Sequence, residues 1–200
     1  MGSLLETPGR ALLVGIVITI LVLLLWAVVG GLDPVGFLSY LLRFLHTMSA
    51  MSWVGLIMFV NFVQLAAVAE ASGEGRATLM KSIVPRVGAG MRHASHATVV
   101  TGIVLLILSG YLLDRYVFAT AVYMPPLRNL LLWGGTAAGL AMWGFLNLRI
   151  WPALRILTGE TVADDAAQVE ARAIVKTYAR LNLVLAIPVT AVMVAAAHLY

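Results

Sequence analysis

The sequence contains no cysteine. That removes disulfides, thiolate metal sites, iron–sulfur clusters, a cysteine nucleophile and covalent c-type haem, so any metal or cofactor must be held by His, Met, carboxylates or backbone. Charge is also scarce: 13 Lys and Arg with 9 Asp and Glu make up 11% of 200 residues, against 62% hydrophobic residues and a mean hydropathy of +0.98. This is too little polar material to cover a water-soluble surface. Acids are missing from the middle of the apolar runs, because Asp33, Glu70 and Asp114 all fall at run ends; a channel built on buried mid-span acids is disfavoured. Also absent are an H-E-x-x-H motif, a serine- or cysteine-hydrolase constellation and a phosphate-binding glycine loop. A secondary transporter would show repeated halves and broken helices, whereas Pro188 is the one mid-run proline and the runs do not pair.

What is present is five long apolar runs, at about 11–29, 37–69, 94–113, 127–150 and 181–200. At 1.5 Å rise per residue the uncharged first run nearly matches a hydrocarbon core of roughly 30 Å. A secretory signal is the competing reading of that run, but it is longer than a signal's apolar core and its basic flank is only Arg10 and the terminal amine, so a retained helix is expected. The predicted fold class is an all-α integral membrane bundle of five transmembrane helices.

Lys and Arg are retained on the cytoplasmic side during insertion. With the N-terminus inside, the inner segments hold Arg10, Arg76, Lys81, Arg86, Arg92, Arg149, Arg155, Arg172, Lys176 and Arg180. The outer side keeps Arg115 and Arg128, with Arg43 at its boundary. The N-terminus is therefore expected in the cytoplasm and the C-terminus in the periplasm, in the inner membrane of a bacterium with the lipid bilayer as a partner. The net charge of +4 follows from topology, and nucleic acid is not a partner.

Residues 72–92 form a basic connection, and 152–176 a longer one. In the latter, Thr161 with Asp164 reads as a capping box, predicting a cytoplasmic amphipathic helix over about 161–177 that runs into the fifth span. Arg172, Lys176 and Arg180 recur every four residues and make a stripe suited to anionic headgroups. Gly135-x-x-x-Gly139, Gly144, and Gly102 with Ser109 and Gly110 are small-residue faces on which helices pack closely.

Ionisable or polar side chains inside a span need a partner or a job. On the second span, with 100° per residue, Trp53 and Gln64 lie within about 20° of His46, and Arg43, Ser49, Ala50 and Asn61 within about 60°. That face is expected to point into the bundle or line a cofactor cavity. Span centres near Ser52, Val104 and Thr190 place His46 roughly 9 Å and His198 roughly 12 Å toward the outside, and His96 roughly 12 Å toward the inside.

Two imidazoles from two helices at one depth are what a six-coordinate haem b needs. His46 and His198 are the expected iron ligands, with Arg43, Ser49, Ala50 and Trp53 beside them; two histidines merely hydrogen-bonded across helices, or at the water interface, are the other reading. His93 and His96, spaced i, i+3 with Arg92 alongside, suggest a second haem, a metal or a quinone headgroup near the cytoplasmic face, or simply interfacial polarity.

Arg43-Phe44-Leu45-His46-Thr47-Met48-Ser49-Ala50-Met51-Ser52-Trp53-Val54-Gly55, continuing to Phe59-Val60-Asn61-Phe62-Val63-Gln64, resembles the second-helix motif of the membrane domain in bacterial membrane-bound urate hydroxylases, the urate oxidase N-terminal domain family. Val84-Pro85-Arg86 with Arg92, Asn147-Leu148-Arg149-Ile150-Trp151-Pro152, and Ala179-Arg180-Leu181-Asn182 through Pro188 to His198 are similar to further stretches in the same order. The resemblance covers about 40–199 and implies a redox-linked membrane protein with His46 and His198 on histidines of the family pattern. Urate-type members carry a c-type cytochrome domain; this sequence has no Cys-x-x-Cys-His and adds a first span, which implies an electron partner on a separate chain.

Three functional expectations follow. The first is a b-type cytochrome, or cytochrome-like oxidoreductase subunit, passing electrons from a membrane quinol to a periplasmic acceptor such as cytochrome c. The second is a non-catalytic membrane subunit of a larger respiratory or photosynthetic complex. The third is a urate-hydroxylase-like oxidase with a polar pocket of Arg43, His46, Asn61 and Gln64.

Overall fold

The computed structural model describes residues 6–31, 33–111 and 126–198. The expected outer connection, including Asp114 and Arg115, and the final two residues of the last span lie outside them. Among the described residues there are helices and no strands. The helices are α1 (Pro8–Gly30), α2 (Pro34–Glu70), α3 (Gly73–Leu108), α4 (Pro126–Gly144, continuing through Phe145–Ile150 and Trp151–Leu157) and α5 (Asp165–His198). Of these, α1, α2, α3 and α5 are long and apolar enough to cross a membrane. The expected fourth span is helical but less apolar, because Gly134, Gly135, Gly139, Gly144, Trp133 and Trp143 dilute its leucines.

The helix starts follow local chemistry. Thr7 and Asp33 cap α1 and α2, accepting from the backbone N–H of Arg10 (3.3 Å) and Gly36 (2.7 Å), and Pro8 and Pro34 follow where a missing N–H costs nothing. Gly31, at φ 64°, ends α1 in the left-handed conformation that glycine adopts freely. At α5 the cap is Asp164, whose Oδ1 accepts from Ala167 N–H at 2.8 Å, and not the expected Thr161. A carboxylate adjoining the first helical residue reaches the free N–H groups, whereas Thr161 is a full turn too early.

The structure corrects the basic connections. Helix resumes at Gly73, so only Ala71 and Ser72 link α2 to α3, and the residues read as a loop extend α3 instead. Likewise Trp151–Leu157 lengthens α4, leaving a short link before the 34-residue α5. Three wide π-type turns interrupt the helices, at Val60–Gln64, Leu79–Ile83 and Phe145–Ile150. The second and third immediately precede Val84-Pro85 and Trp151-Pro152. A proline ring clashes with the carbonyl four residues back, and a turn with one extra residue relieves the clash without ending the helix.

Packing divides into two tight pairs, α2 with α3 and α4 with α5. The core runs through Trp53, Ile57, Met91, Met142, Leu146, Ala179 and Ala186. α1 has no buried residue and meets the rest through Trp26, edge-on to Tyr40 at 5.0 Å. In the Gly135-x-x-x-Gly139 motif only Gly135 makes a close approach: a methyl group there would lie 3.0 Å from Val192 Cγ2 and 3.1 Å from Met193 Cε, whereas one on Gly139 meets nothing within 4 Å. Gly135→Leu is accordingly expected to cost about 1–3 kcal/mol by overpacking, and Gly139→Leu close to nothing. Thermal unfolding in detergent separates the two, and equal costs would contradict this packing.

Candidate functional site

The expected haem ligands are placed by different helix pairs. His46 turns its Nδ1 to α3, 2.9 Å from the Thr98 carbonyl oxygen and 3.1 Å from Thr101 Oγ1. Its ring fills the space left by Gly102, where a methyl group would lie 3.0 Å from His46 Cε1. The glycine read as a packing face is thus the seat of an imidazole. His198 is exposed near the end of α5, with Nδ1 3.1 Å from the Val194 carbonyl oxygen of its own helix. That end of α5 is fixed on α4, where Arg128 Nε donates to the Ala196 carbonyl at 2.9 Å and satisfies a helix-terminal acceptor. His46 is thus seated against α3 and His198 lies at the exposed end of α5, each held through Nδ1.

Their expected neighbours disperse similarly. Arg43 is exposed, its Nε donating to Ser39 Oγ at 3.4 Å; Ser49 donates to its own Leu45 carbonyl at 2.8 Å; Ala50 is half-buried. Trp53 points inward into the core with its indole N–H unpartnered. The inward face of α2 is therefore as expected at His46, Trp53 and Asn61, joined by the buried Ile57, but Arg43 is not part of it.

The second expected group is also divided. His93 is exposed. His96 Nδ1 donates to the Arg92 carbonyl oxygen at 2.7 Å and the ring lies edge-on to Trp143 of α4, with centroids 5.7 Å apart. Arg92 lies 4.9 Å above the Trp151 ring. The depth argument that separated His46 from His96 by roughly 20 Å fails, because His46 is level with Thr98–Gly102, only about a turn and a half along the same helix. What separates them is azimuth: His46 lies on the α2 side of α3 and His96 on the α4 side.

The site the structure does build lies at the basic end of the bundle. A partly enclosed cavity of about 40 Å³ is lined by residues of α2, α3, α4 and α5. By the rule of about 10–15 Å³ of such space per water, it holds a few water-sized groups. Most of its wall is apolar, including Ile57, Met91, Leu146 and Leu154, and none of its lining side chains is charged. Three amides interrupt that wall: Asn61, Gln64 and Asn182. Asn61 is 5% exposed and Asn182 1%.

Asn61 and Gln64 sit in the first π-type turn, and Leu146 and Ile150 in the third, so widened helix turns frame the cavity on two sides. Such turns recur at functional sites because they re-aim side chains without breaking the helix. Asn61 Nδ2 donates to the carbonyls of Ile57 (2.9 Å) and Ala179 (3.2 Å), tying α2 to α5. Its Oδ1 has no partner; nor do Gln64 Oε1 and both amide atoms of Asn182. A buried polar group without a partner costs about 1–3 kcal/mol, and all four of these atoms are closed off from solvent. On the opposite side Gly88 makes the close approach, since a methyl group there would lie 2.6 Å from Leu154 Cδ2. Trp151, beneath the Arg92 guanidinium, also lines the cavity, whereas Arg92 itself does not.

Asn182 was not legible as a site residue from its own span, although a signal exists. Ala171, Val175, Ala179, Asn182 and Ala186 form the buried stripe of α5, and an amide among alanines on such a stripe marks a cavity. The basic stripe Arg172, Lys176 and Arg180, which is exposed as expected, runs alongside it. The four residues of the expected purine pocket are divided between the two ends of α2: Arg43 and Gln64 are roughly 31 Å apart by helical rise. Among the described residues no group of three or more His, Cys, Asp or Glu is arranged to hold a metal ion. Comparison with known protein families, curated proteins and solved structures finds no match, and the likeness to urate-hydroxylase membrane domains rests on the motifs quoted above.

Proposed function

We propose that this chain is an inner-membrane subunit of an electron-transport assembly that binds a quinone-class ligand at its cytoplasmic end, with five spans, a cytoplasmic N-terminus and a periplasmic C-terminus. The observation that carries the reading is the uncharged, mostly apolar cavity with unpartnered amides of Asn61, Gln64 and Asn182. An isoprenoid quinone has the matching character: a neutral ring with two polar oxygens, on a tail that belongs in lipid. An anionic phospholipid headgroup or an anionic purine would find no charged side chain in the lining. The redox-linked family resemblance agrees with this class.

Oxidation of a bound quinol releases two electrons and two protons. The electrons go singly to a one-electron centre on a partner chain and on to an acceptor of the cytochrome c class; the protons go to water at the cytoplasmic end. The residues of this chain bind and orient the ring. Asn61 is held by its two backbone acceptors, and Trp151 offers an aromatic face at the rim.

The test is photolabelling of the purified protein with an azido-benzoquinone. Labelled peptides are expected from 57–65, 84–91 and 175–182, and competition by an unlabelled quinone should remove them. Labelling confined to α1 or to the periplasmic end would defeat the proposal. A Soret band lost in both His46→Ala and His198→Ala would instead restore the haem reading.

A further inference from the structure

Charge begins at one level on three helices. Residues 129–148 of α4 and 181–197 of α5 carry no charged side chain. At 1.5 Å per residue these stretches rise about 30 Å and about 26 Å, close to the thickness of a hydrocarbon core. Arg149 and Arg180 close them at the basic end, and the structure sets the two level, because Arg149 lies over the Tyr178 ring at 5.9 Å to the centroid. Arg92 of α3 joins the same level over Trp151, two residues beyond Arg149, at 4.9 Å. All three arginines are exposed.

They face different sides of the bundle. Arg92 lies where α3 meets α4, and Arg149 where α4 meets α5. On α5, at 100° per residue, Lys176 in the line of Arg172, Lys176 and Arg180 is about 160° from Tyr178. None of these five cations has an acid partner: among the described residues the ion pairs are Arg10–Glu6 and Arg155–Glu160. The acids of α5, Asp164, Asp165 and Glu170, lie near its start, roughly 15 Å or more from Arg180 by helical rise.

Two of the arginines rest on aromatic supports. Tyr178 is itself braced by Phe145, with ring centroids 5.3 Å apart, and both Tyr178 and Trp151 are half-buried. Cation–π attraction holds a guanidinium on a ring without using its N–H donors, and those of Arg92 and Arg149 have no hydrogen-bond partner among the described residues. A guanidinium fork fits the two free oxygens of a phosphodiester, and Tyr and Trp favour the headgroup level of a bilayer. We propose that this level is a girdle binding phospholipids of net negative charge. The Arg92–Trp151 and Arg149–Tyr178 pairs are its two defined headgroup sites, and the α5 stripe adds attraction on a further side. A zwitterionic lipid brings the same phosphate with a cation of its own, so the girdle discriminates by net charge. It does not depend on what fills the cavity.

The test is native mass spectrometry of the purified chain after incubation in detergent with phosphatidylglycerol or with phosphatidylcholine of the same acyl length. Phosphatidylglycerol is expected to be retained roughly tenfold more strongly, as one or two basic residues at a membrane surface would give. Arg92→Gln and Arg149→Gln are each expected to lower its retention about threefold. Arg149→Lys, which keeps the charge but not the fork, should lower it less, and Arg43→Gln, near the other end of α2, should leave it unchanged. All these side chains are exposed, so the variants keep the fold. Inorganic phosphate in excess should not displace the lipid. Equal retention of the two lipids, or retention unchanged in the Arg92→Gln, Arg149→Gln double variant, overturns the girdle and leaves these cations to an acidic partner protein. Displacement by inorganic phosphate overturns it in favour of a site for free anions.

Discussion

Asn182→Leu is expected to leave the bundle at least as stable as the wild type and to weaken binding at the cavity. The two halves of that expectation have one cause. Asn182 is 1% exposed and neither of its amide atoms has a partner in the protein, so the native state carries the cost of two desolvated polar groups. That cost is about 1–3 kcal/mol per unsatisfied group. Leucine is close to asparagine in shape and finds apolar neighbours in Leu146, Val175 and Ala179. The expected gain is about 1 kcal/mol, within the range seen when an unsatisfied group is replaced by an apolar one. Ligand affinity, in contrast, should fall, because the most deeply buried amide of the cavity wall is gone. Thermal unfolding monitored by circular dichroism, beside the azido-benzoquinone photolabelling, measures both. A variant destabilised by about 2 kcal/mol would mean that the amide is satisfied in the native protein and that the cavity is structural.

Gly102→Val should unseat His46 and destabilise the α2–α3 pair by about 1–3 kcal/mol, the usual range for forcing extra carbons into a packed contact. The hydrogen bond to Thr98 contributes little to this, since interhelical hydrogen bonds in membranes average only about 0.6 kcal/mol. The main term is steric, because the added carbons overlap an imidazole already 3.0 Å from the first of them. His46→Ala in the same background should therefore recover stability, with the valine methyls occupying the space vacated by the ring. A double-mutant cycle is expected to give a coupling of at least about 1 kcal/mol, well outside the additivity of independent sites. Additive costs would show that His46 does not rest on Gly102.

Much of the frame was legible because it depends on composition and period. The apolar runs placed the helices, and the structure ends the first of them at Gly31 and starts the second at Asp33. The inward direction of His46, Trp53 and Asn61 came from a helical wheel. Interhelical register was not legible. Depths counted from the centre of each apolar run assumed that a run and its helix share a centre, and α3 violates this by starting at Gly73. Nor were the π-type turns, because a wheel of constant pitch cannot show where one residue is inserted; Pro85 and Pro152 were the local clues. The histidines drew attention because few side chains inside a membrane are ionisable. The amides that line the cavity are neutral, and their meaning depends on partners that only three dimensions reveal. His46 shows the converse: its polarity is answered by Thr98 and Thr101.

The detachment of α1 bears on how the molecule comes apart. A helix with no buried residue, set beyond a glycine-capped turn with Trp26 against Tyr40, shares little free energy with the bundle it precedes. Its order is maintained by its own backbone hydrogen bonds and by the hydrocarbon around it. α2 through α5, joined by Asn61, His46, Arg128 and the Gly135 contact, unfold together. The chain therefore comprises two cooperative units of very different size, and a denaturation curve reports on the larger one alone.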